Sequence, residues 1–385
     1  MDVKLITAIT DIEPQHWNEL VGKLYPFLSH EFLSALELSG SVSAKTGWQP
    51  QHLLIYDDQK LVALMPLYLK NHSQGEYVFD HQWAHSYAHY GLKYYPKWVT
   101  AIPFTPCQGQ RIICRDSIDP ITIYQTIIDF LKDQSEAFGA SSWHCLFPTI
   151  EQTELFQSLG LGIRESIQFQ WFNRDYRDFA DYLDNFSSAK RKQIKRERRR
   201  VKEQGIVLKQ LSGSDIRDHH WQVFFQFYNI TYLKKGMHAY LNLDFFQRIA
   251  ETMADSILLI IAEKDQSPIG AALSLVDDKT LYGRYWGCFE EYKNLHFETC
   301  YYQGLDYCIA HGLERFDSGA QGEHKIARGF EPVSTWSAHW IKHPEFADAI
   351  NKFMEQERVS IQNYKRYAKT LLPFKVNSHM GNSQK

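Results

Sequence analysis

Leu53-Leu54-Ile55-Tyr56-Asp57-Asp58-Gln59 and, much further along, Leu258-Leu259-Ile260-Ile261-Ala262-Glu263-Lys264 are the stretches on which the fold turns. Each is an apolar run that breaks into polar residues and resumes as a second apolar run, the pattern of two strands around a turn. Residues 52–56 and 61–70 flank Asp57-Asp58-Gln59-Lys60, and residues 257–263 and 269–276 flank Lys264-Asp265-Gln266-Ser267-Pro268. Two stretches of helical spacing precede each hairpin: 11–24 and 31–39 before the first, 216–231 and 243–253 before the second. Downstream, a helix face through Ile123, Ile127, Phe130 and Leu131 stops at Gly139 before a strand at 142–147. A second face through Tyr301, Leu305, Cys308 and Ile309 stops at Gly312 before a strand at 313–317. This recurring order of helices, hairpin, helix, glycine and strand predicts a duplicated chain.

Length agrees, because 385 residues exceed the roughly 250 at which single cores stop growing. Strands mixed with helices in this order predict an α/β (α+β) architecture, with a mixed, mainly antiparallel sheet flanked by helices in each half. The expected halves are 1–165 and 166–375, followed by a disordered tail at 376–385. The first half is longer by about 32 residues, which fall in the aromatic-rich stretch 77–111, read as strand, insertion and strand. An opening strand at 1–5, a short helix ending near Gly160, strands at 163–173 and 334–341 and a charged helix at 345–369 complete the reading.

With 44% hydrophobic and 23% charged residues the chain carries enough apolar surface for packed cores. Six cysteines without a C-x-x-C pair suit free thiols in a reducing compartment. The start lacks the basic region and apolar run of a secretory signal, and the most apolar stretch, 257–262, is far shorter than the ~18 residues of a membrane span. The expectation is a cytoplasmic protein without a membrane span. Its oligomeric state is not legible.

A net charge of −3 gives no general attraction to nucleic acid, yet nine of the thirteen residues from 190 to 202 are Lys or Arg. The run has no Gly or Pro and stops at Gly205, so it reads as a helix (187–204) with charge around almost its whole circumference. Lys190, Arg191, Lys192, Lys195 and Arg196 are its candidate anion-binding residues, for the phosphates of a donor or for RNA. A merely solvated helix is the alternative. The densest chemistry lies in Asp317-Ser318-Gly319-Ala320-Gln321-Gly322-Glu323-His324-Lys325-Ile326-Ala327-Arg328-Gly329-Phe330, directly after a predicted strand. Glu323 and His324 can accept a proton from an attacking amine, and Lys325 and Arg328 can hold anionic groups. A polar turn with no chemistry is the alternative there.

Two weaker candidates follow. His81, His85 and His89 would share a helix face, as a metal site might, but intervening aromatics favour histidines that hydrogen-bond within an aromatic pocket, and no metal is expected. Phe104-Thr105-Pro106-Cys107-Gln108-Gly109 is a strand-end loop suited to ligand contact, with Cys107 structural rather than nucleophilic.

The chain resembles the FemAB-like family of peptidoglycan biosynthesis and recognition proteins, within the GNAT-like acyl-CoA N-acyltransferase superfamily. The residues that carry the resemblance are Phe104-Thr105-Pro106, the run from Ser187 to Arg199, Tyr282-Gly283-Arg284-Tyr285-Trp286-Gly287, Leu295-His296-Phe297-Glu298, Cys300-Tyr301-Tyr302-Gln303 and Gly319-Ala320-Gln321-Gly322-Glu323-His324-Lys325. It covers nearly the whole chain. It implies two tandem GNAT-like domains that move an acyl or aminoacyl group from an activated donor to a small-molecule or peptide amine, with no tightly bound cofactor. The expected site sets Glu323 and His324 as base against substrate-binding Tyr285, Glu298, Tyr301, Tyr302, Gln303, Gln321, Lys325 and Arg328, with Phe104 and Thr105 from the first half. The pattern departs from the family's in two places. Residues 288–297 carry no glycine where acetyl-CoA-binding relatives have a pyrophosphate loop, which counts against coenzyme A and leaves room for aminoacyl-tRNA, so the expected donor is acyl-CoA or aminoacyl-tRNA. His85 stands where an acidic residue is expected. The competing class is a non-catalytic module that binds RNA or a cell-wall precursor.

Overall fold

Both hairpins close on the same dipeptide. In a computed structural model describing residues 1–22, 25–320 and 322–375, Asp58 and Gln59 have φ of 46° and 65°, and Asp265 and Gln266 have 51° and 62°. Two consecutive residues at positive φ make the tight turn whose twist matches that of paired strands. The first turn joins strands His52–Asp57 and Lys60–Met65, the second Ile257–Lys264 and Ser267–Val276. Register slips between Ile55 and Tyr56 in one and between Ala262 and Glu263 in the other, so the bulge sits at the same distance before the turn in both. An edge strand pairs antiparallel with each hairpin, Asp2–Ile6 on the first and Ile206–Ser212 on the second. The helices expected ahead of the hairpins are Pro14–Val21 and His30–Leu38, then Asp218–Leu233 and Leu243–Thr252. The repeat is therefore one of strand, two helices and hairpin.

The chain divides into two compact units: Met1–Ile167 with Ser334–Asn363, and Gln168–Val333 with the residues from Tyr364 on. The first passage lies close to the expected division at 165/166, whereas the return of residues 334–363 to the first unit leaves no mark in composition.

In the first unit a four-stranded antiparallel sheet runs in the order Asp2–Ile6, His52–Asp57, Lys60–Met65 and Ile113–Cys114. Lys97–Thr100 pairs parallel with Ser142–Leu146, and the helix Pro120–Ala137 connects them, capped by Asp119 and stopped beyond Ala137 by Gly139 at φ 64°. Leu53, Ile55, Trp98, Ile127, Leu131 and Trp143 form the centre of its apolar core. Two expectations change here. The strand read at 61–70 is two strands in two sheets, Lys60–Met65 and Tyr68–Lys70, because Pro66 has no N–H to continue a ladder. The stretch 77–111 holds a helix, His81–His89, before the strand Lys97–Thr100. Trp83 and Tyr87, one turn apart and buried, supply the apolar face that holds it, and His81, His85 and His89 point to solvent. In the same unit His144 and His339 do hydrogen-bond beside the Trp83 ring.

In the second unit Ile206–Ser212, Ile257–Lys264, Ser267–Val276 and Thr280–Cys288 are all antiparallel, and Arg315–Asp317 then pairs parallel with Thr280–Cys288. Phe224, Phe245, Phe246 and Ile249 on the two helices are buried with Leu258, Leu259 and Leu273 of the sheet. The tail expected to be disordered, 376–385, lies outside the described residues. Among the described residues no helix is long and apolar enough to cross a membrane.

Candidate active site

The parallel pair of the second unit is joined by a helix that changes pitch. After the strand Thr280–Cys288 the chain enters helix at Leu295–Phe297, widens to a π turn over Glu298–Tyr302 and resumes as Gln303–Ala310. Single π turns inside helices are rare and concentrate at functional sites, because the extra residue redirects the side chains that follow. Here consecutive tyrosines reach different partners. Tyr301 Oη lies 2.8 Å from His324 Nε2, and Tyr302 donates to Glu197.

Glu197 comes from the basic helix Ser188–Glu203. Its buried residues, Ile194, Glu197 and Val201, recur at helical spacing, so one face packs inward despite the charge around it. The carboxylate of Glu197 also accepts from Arg328 Nη2 at 2.8 Å. Next to it, Arg198 grips Glu298 at 3.0 Å and Asp306 at 2.6 Å and lies over the Phe179 ring. Two interlocked ion pairs thus tie the basic helix to the π-turn helix. Lys192, Lys195 and Arg196 are exposed, Lys190 and Arg191 partly so, and Arg191 pairs with Asp184. The anion-binding expectation therefore applies to the outer face, while Glu197 and Arg198 build the inner one.

The polar segment after the strand Arg315–Asp317 is a tight helical turn, Glu323–Arg328, between Gly322 and Gly329. Gly329 has φ 85°, and a Cβ there would come 2.0 Å from Tyr182 Oη, so both backbone and space require glycine. Arg328 is buried, stacks 3.4 Å from the Phe297 ring centroid and donates 2.7 Å to the His324 carbonyl. Lys325 is buried as well; its Nζ donates to the carbonyls of Ser318 at 2.9 Å and Gly319 at 2.8 Å. It pins the turn, where an anion-holding role was expected.

His324 is the segment's presented group. Its ring sits among His296, Phe297 and Tyr301 with centroids 5.7, 5.6 and 5.5 Å away, and its residue still reaches solvent. Desolvation, then Arg328 and Lys325, hold its pKa below the ordinary histidine value, so it is neutral at pH 7. His296 is pushed further, to about 4, by burial and then by His324, Arg328 and Lys325. Burial raises the Tyr301 pKa, so its phenol stays protonated and donates to Nε2 whenever that nitrogen is bare. Glu323 is exposed and accepts 2.6 Å from Tyr364 Oη.

The remaining candidates disperse. Glu298 and Gln303 are bonded to each other at 2.8 Å, Glu298 as an ion-pair anchor. Tyr285 packs edge-on against Tyr228 and Phe246 at 5.2 and 5.9 Å, and its neighbour Trp286 is the residue near His296, at 5.6 Å, as strand alternation requires. Phe104 and Thr105 are buried in the first unit, Phe104 against Trp48. Gln321 lies outside the described residues. Among the described residues no group of three or more His, Cys, Asp or Glu side chains could hold a metal ion. Glu197, Arg198, His296, Phe297 and Asp306 belong to the site without having been singled out for it.

Solved structures share this architecture. FemX aligns with a TM-score of 0.54 at 11% identity over 91% of this chain and 100% of that one. A chain from Agrobacterium fabrum described as the C-terminal domain of a lysylphosphatidylglycerol synthetase gives 0.53 at 10% identity over 87% and 94%. A tandem GNAT protein from the clavulanic acid biosynthesis pathway gives 0.48 at 9% identity over 89% and 99%. At such identities the likeness to the first two speaks for a shared fold alone. No curated protein matches the sequence. The profile of the FemAB-like family, described as peptidoglycan biosynthesis/recognition, matches residues 8–376, and the chain belongs to that family.

Proposed function

We propose that the second unit transfers an aminoacyl group from aminoacyl-tRNA to an amine, with His324 and Tyr301 as the proton-handling pair. The observation that carries this reading is the 2.8 Å contact between Tyr301 Oη and His324 Nε2, inside a cage of rings that keeps the imidazole neutral and the phenol protonated. In the reaction a C–N bond forms between the amine and the donor carbonyl, and the ester C–O bond breaks. His324 takes the proton that the amine loses. Tyr301 gives its proton to the departing oxygen and is reprotonated from His324 Nε2, so protons balance. Glu323, the alternative base, is engaged by Tyr364 Oη.

Two features support the donor. Between the strand ending at Cys288 and the helix opening at Leu295 stand Phe289-Glu290-Glu291-Tyr292-Lys293-Asn294, without glycine and with two exposed carboxylates, a poor cradle for a pyrophosphate. The exposed cations Lys192, Lys195 and Arg196 suit a polyanion instead. The same cations favour one second reading, a module that binds RNA without turnover. Mass spectrometry of amine acceptors incubated with the protein and either aminoacyl-tRNA or acyl-CoA separates them. Transfer from aminoacyl-tRNA that is lost in His324→Ala supports the proposal; salt-sensitive RNA binding with no product, unchanged in that variant, supports the module.

A further inference from the structure

One carboxylate oxygen ties together both halves of the Tyr301–His324 pair. Glu197 Oε2 accepts from Tyr302 Oη and, at 2.8 Å, from Arg328 Nη2. Tyr302 follows Tyr301 in the π turn, and Arg328 ends the turn that opens with Glu323 and His324. One bond therefore anchors the side of the phenol and the other the side of the imidazole. The second oxygen, Oε1, accepts from Gln193 Nε2 at 2.9 Å, one turn back along the basic helix, so the carboxylate is held at both oxygens. Arg328 is fixed as closely. Its Nη1 donates to the His324 carbonyl at 2.7 Å, its guanidinium stacks 3.4 Å from the Phe297 ring centroid, and Tyr182 Oη donates to its carbonyl at 2.7 Å. Phe297 in turn lies 5.6 Å from the His324 ring. Glu197 and Arg328 are 7% and 3% exposed. A buried pair of this kind is often no more stabilising than apolar side chains of equal volume, so stability alone gives it little reason to stand here.

We propose that Glu197 and Arg328 are positioning residues, a carboxylate–guanidinium clamp that holds Tyr301 Oη and His324 Nε2 at bonding distance for proton transfer. The proposal rests on the transfer reading and names what orders its two reacting side chains. Burial keeps both residues of the clamp away from the amine and the donor. The clamp also has an electrical consequence. After desolvation, the charge of Arg328 is the first cause that holds the His324 pKa down, with Lys325 next, and Glu197 is the counter-charge that limits it. The other groups around the imidazole are neutral His296 and protonated Tyr301 from the π-turn helix, and Glu323 beside it is taken by Tyr364 of the helix Pro344–Thr370. Removing the charge of Arg328 therefore raises the His324 pKa. Removing only that of Glu197 leaves the guanidinium uncompensated and lowers it further.

Histidine NMR titration on the full chain, with His324 assigned through His324→Ala, tests the clamp without turnover. Arg328→Met, which keeps an apolar stem over Phe297, should raise the His324 pKa by about half a unit or more, and Glu197→Gln should lower it. Shifts of the same sign in both variants, or a titration unmoved in both, would overturn the proposal. The double variant Glu197→Met/Arg328→Met removes both charges together and so leaves no unpaired charge in the interior. In it the Nε2 resonance of the neutral His324 ring should shift as the bond from Tyr301 is lost. In transfer from aminoacyl-tRNA the same variant should lose about a hundredfold in kcat, with KM for the donor within about threefold of the unaltered protein. An unshifted Nε2 resonance, or a rate per folded molecule equal to that of the unaltered protein, would overturn the clamp. Absence of transfer by the unaltered protein counts against the transfer reading alone, because the titration still reports the clamp.

Discussion

At the scale of single residues, the site rests on Glu197. The carboxylate is buried, with Arg328 and Tyr302 as its partners, and Glu197→Ala would leave Arg328 without its counter-charge in the interior. Breaking a buried pair from one side costs about 3–5 kcal/mol, so urea denaturation should show a loss of that order. A loss below about 0.5 kcal/mol would mean that the pair does not hold the site together. His324 makes a prediction in pH. Its pKa lies below the ordinary histidine value of about 6.5, so the neutral base persists as pH falls through that value. The acid limb of the transfer rate should therefore fall below pH ~6.5; a limb at or above it would show that another group titrates. The sequence made His324, Tyr301 and Arg328 legible as ionisable or aromatic residues beside glycines. It hid Glu197, a lone acid in a basic run, although its spacing from Ile194 and Val201 marks a helix face. A reading dominated by charge passes over that period.

At the scale of elements, the paired hairpins show how far local patterning reaches. Apolar runs around polar breaks were enough to place both, and the shared Asp-Gln turn with its bulge then emerged in the backbone. Gln266 holds φ 62° with a Cβ, a conformation costing about 1–2 kcal/mol. Gln266→Gly relieves this while adding unfolded-state entropy worth about 0.4–1 kcal/mol, so thermal unfolding should shift upward slightly. A lower midpoint would mean that the Gln266 side chain matters beyond its backbone. On the basic helix, Lys192→Gln/Lys195→Gln/Arg196→Gln touches only exposed positions. It should change stability by less than about 0.5 kcal/mol per site yet flatten the salt dependence of RNA binding, with a slope reduced by up to about 0.7 per lost contact for single strands. An unchanged slope would take the outer face out of donor binding. The helix His81–His89 was illegible because only Trp83 and Tyr87 carry its period, amid aromatics and histidines that blur it. The break at Pro66 was legible in principle, since proline cannot continue a ladder.

At the scale of the molecule, two units built on one repeat have diverged in what they bury. The first holds His144 and His339 fully buried, joined Nδ1 to Nδ1 at 2.6 Å, each bonded to a serine at 2.8 Å. Desolvation drives both pKa values down, His144 to about 3, with Lys97 and His144 respectively the next causes. The sign follows from proton uptake. Between about 3 and 6.5 the unfolded chain binds protons at these positions and the folded chain does not, so stability falls as pH falls. The slope approaches about 1.4 kcal/mol per pH unit for each histidine. Replacing His144 with Gln should flatten that slope in urea titrations from pH 7 to 4, and an unchanged slope would show that the pair titrates normally. Sequence alone yielded the tandem organisation through the hairpins. It could not yield the return of residues 334–363 to the first unit, because that exchange is made by long-range strand pairing. Acyl transfer at the Tyr301–His324 pair is the function proposed for the second unit. It is tested most directly by mass analysis of an amine acceptor after incubation with the protein and aminoacyl-tRNA. The predicted result is an acceptor heavier by one aminoacyl residue, formed by the unaltered protein and absent with a folded His324→Ala variant. An acceptor of unchanged mass with every aminoacyl-tRNA and acyl-CoA supplied, or an equal rate in the variant, would contradict it.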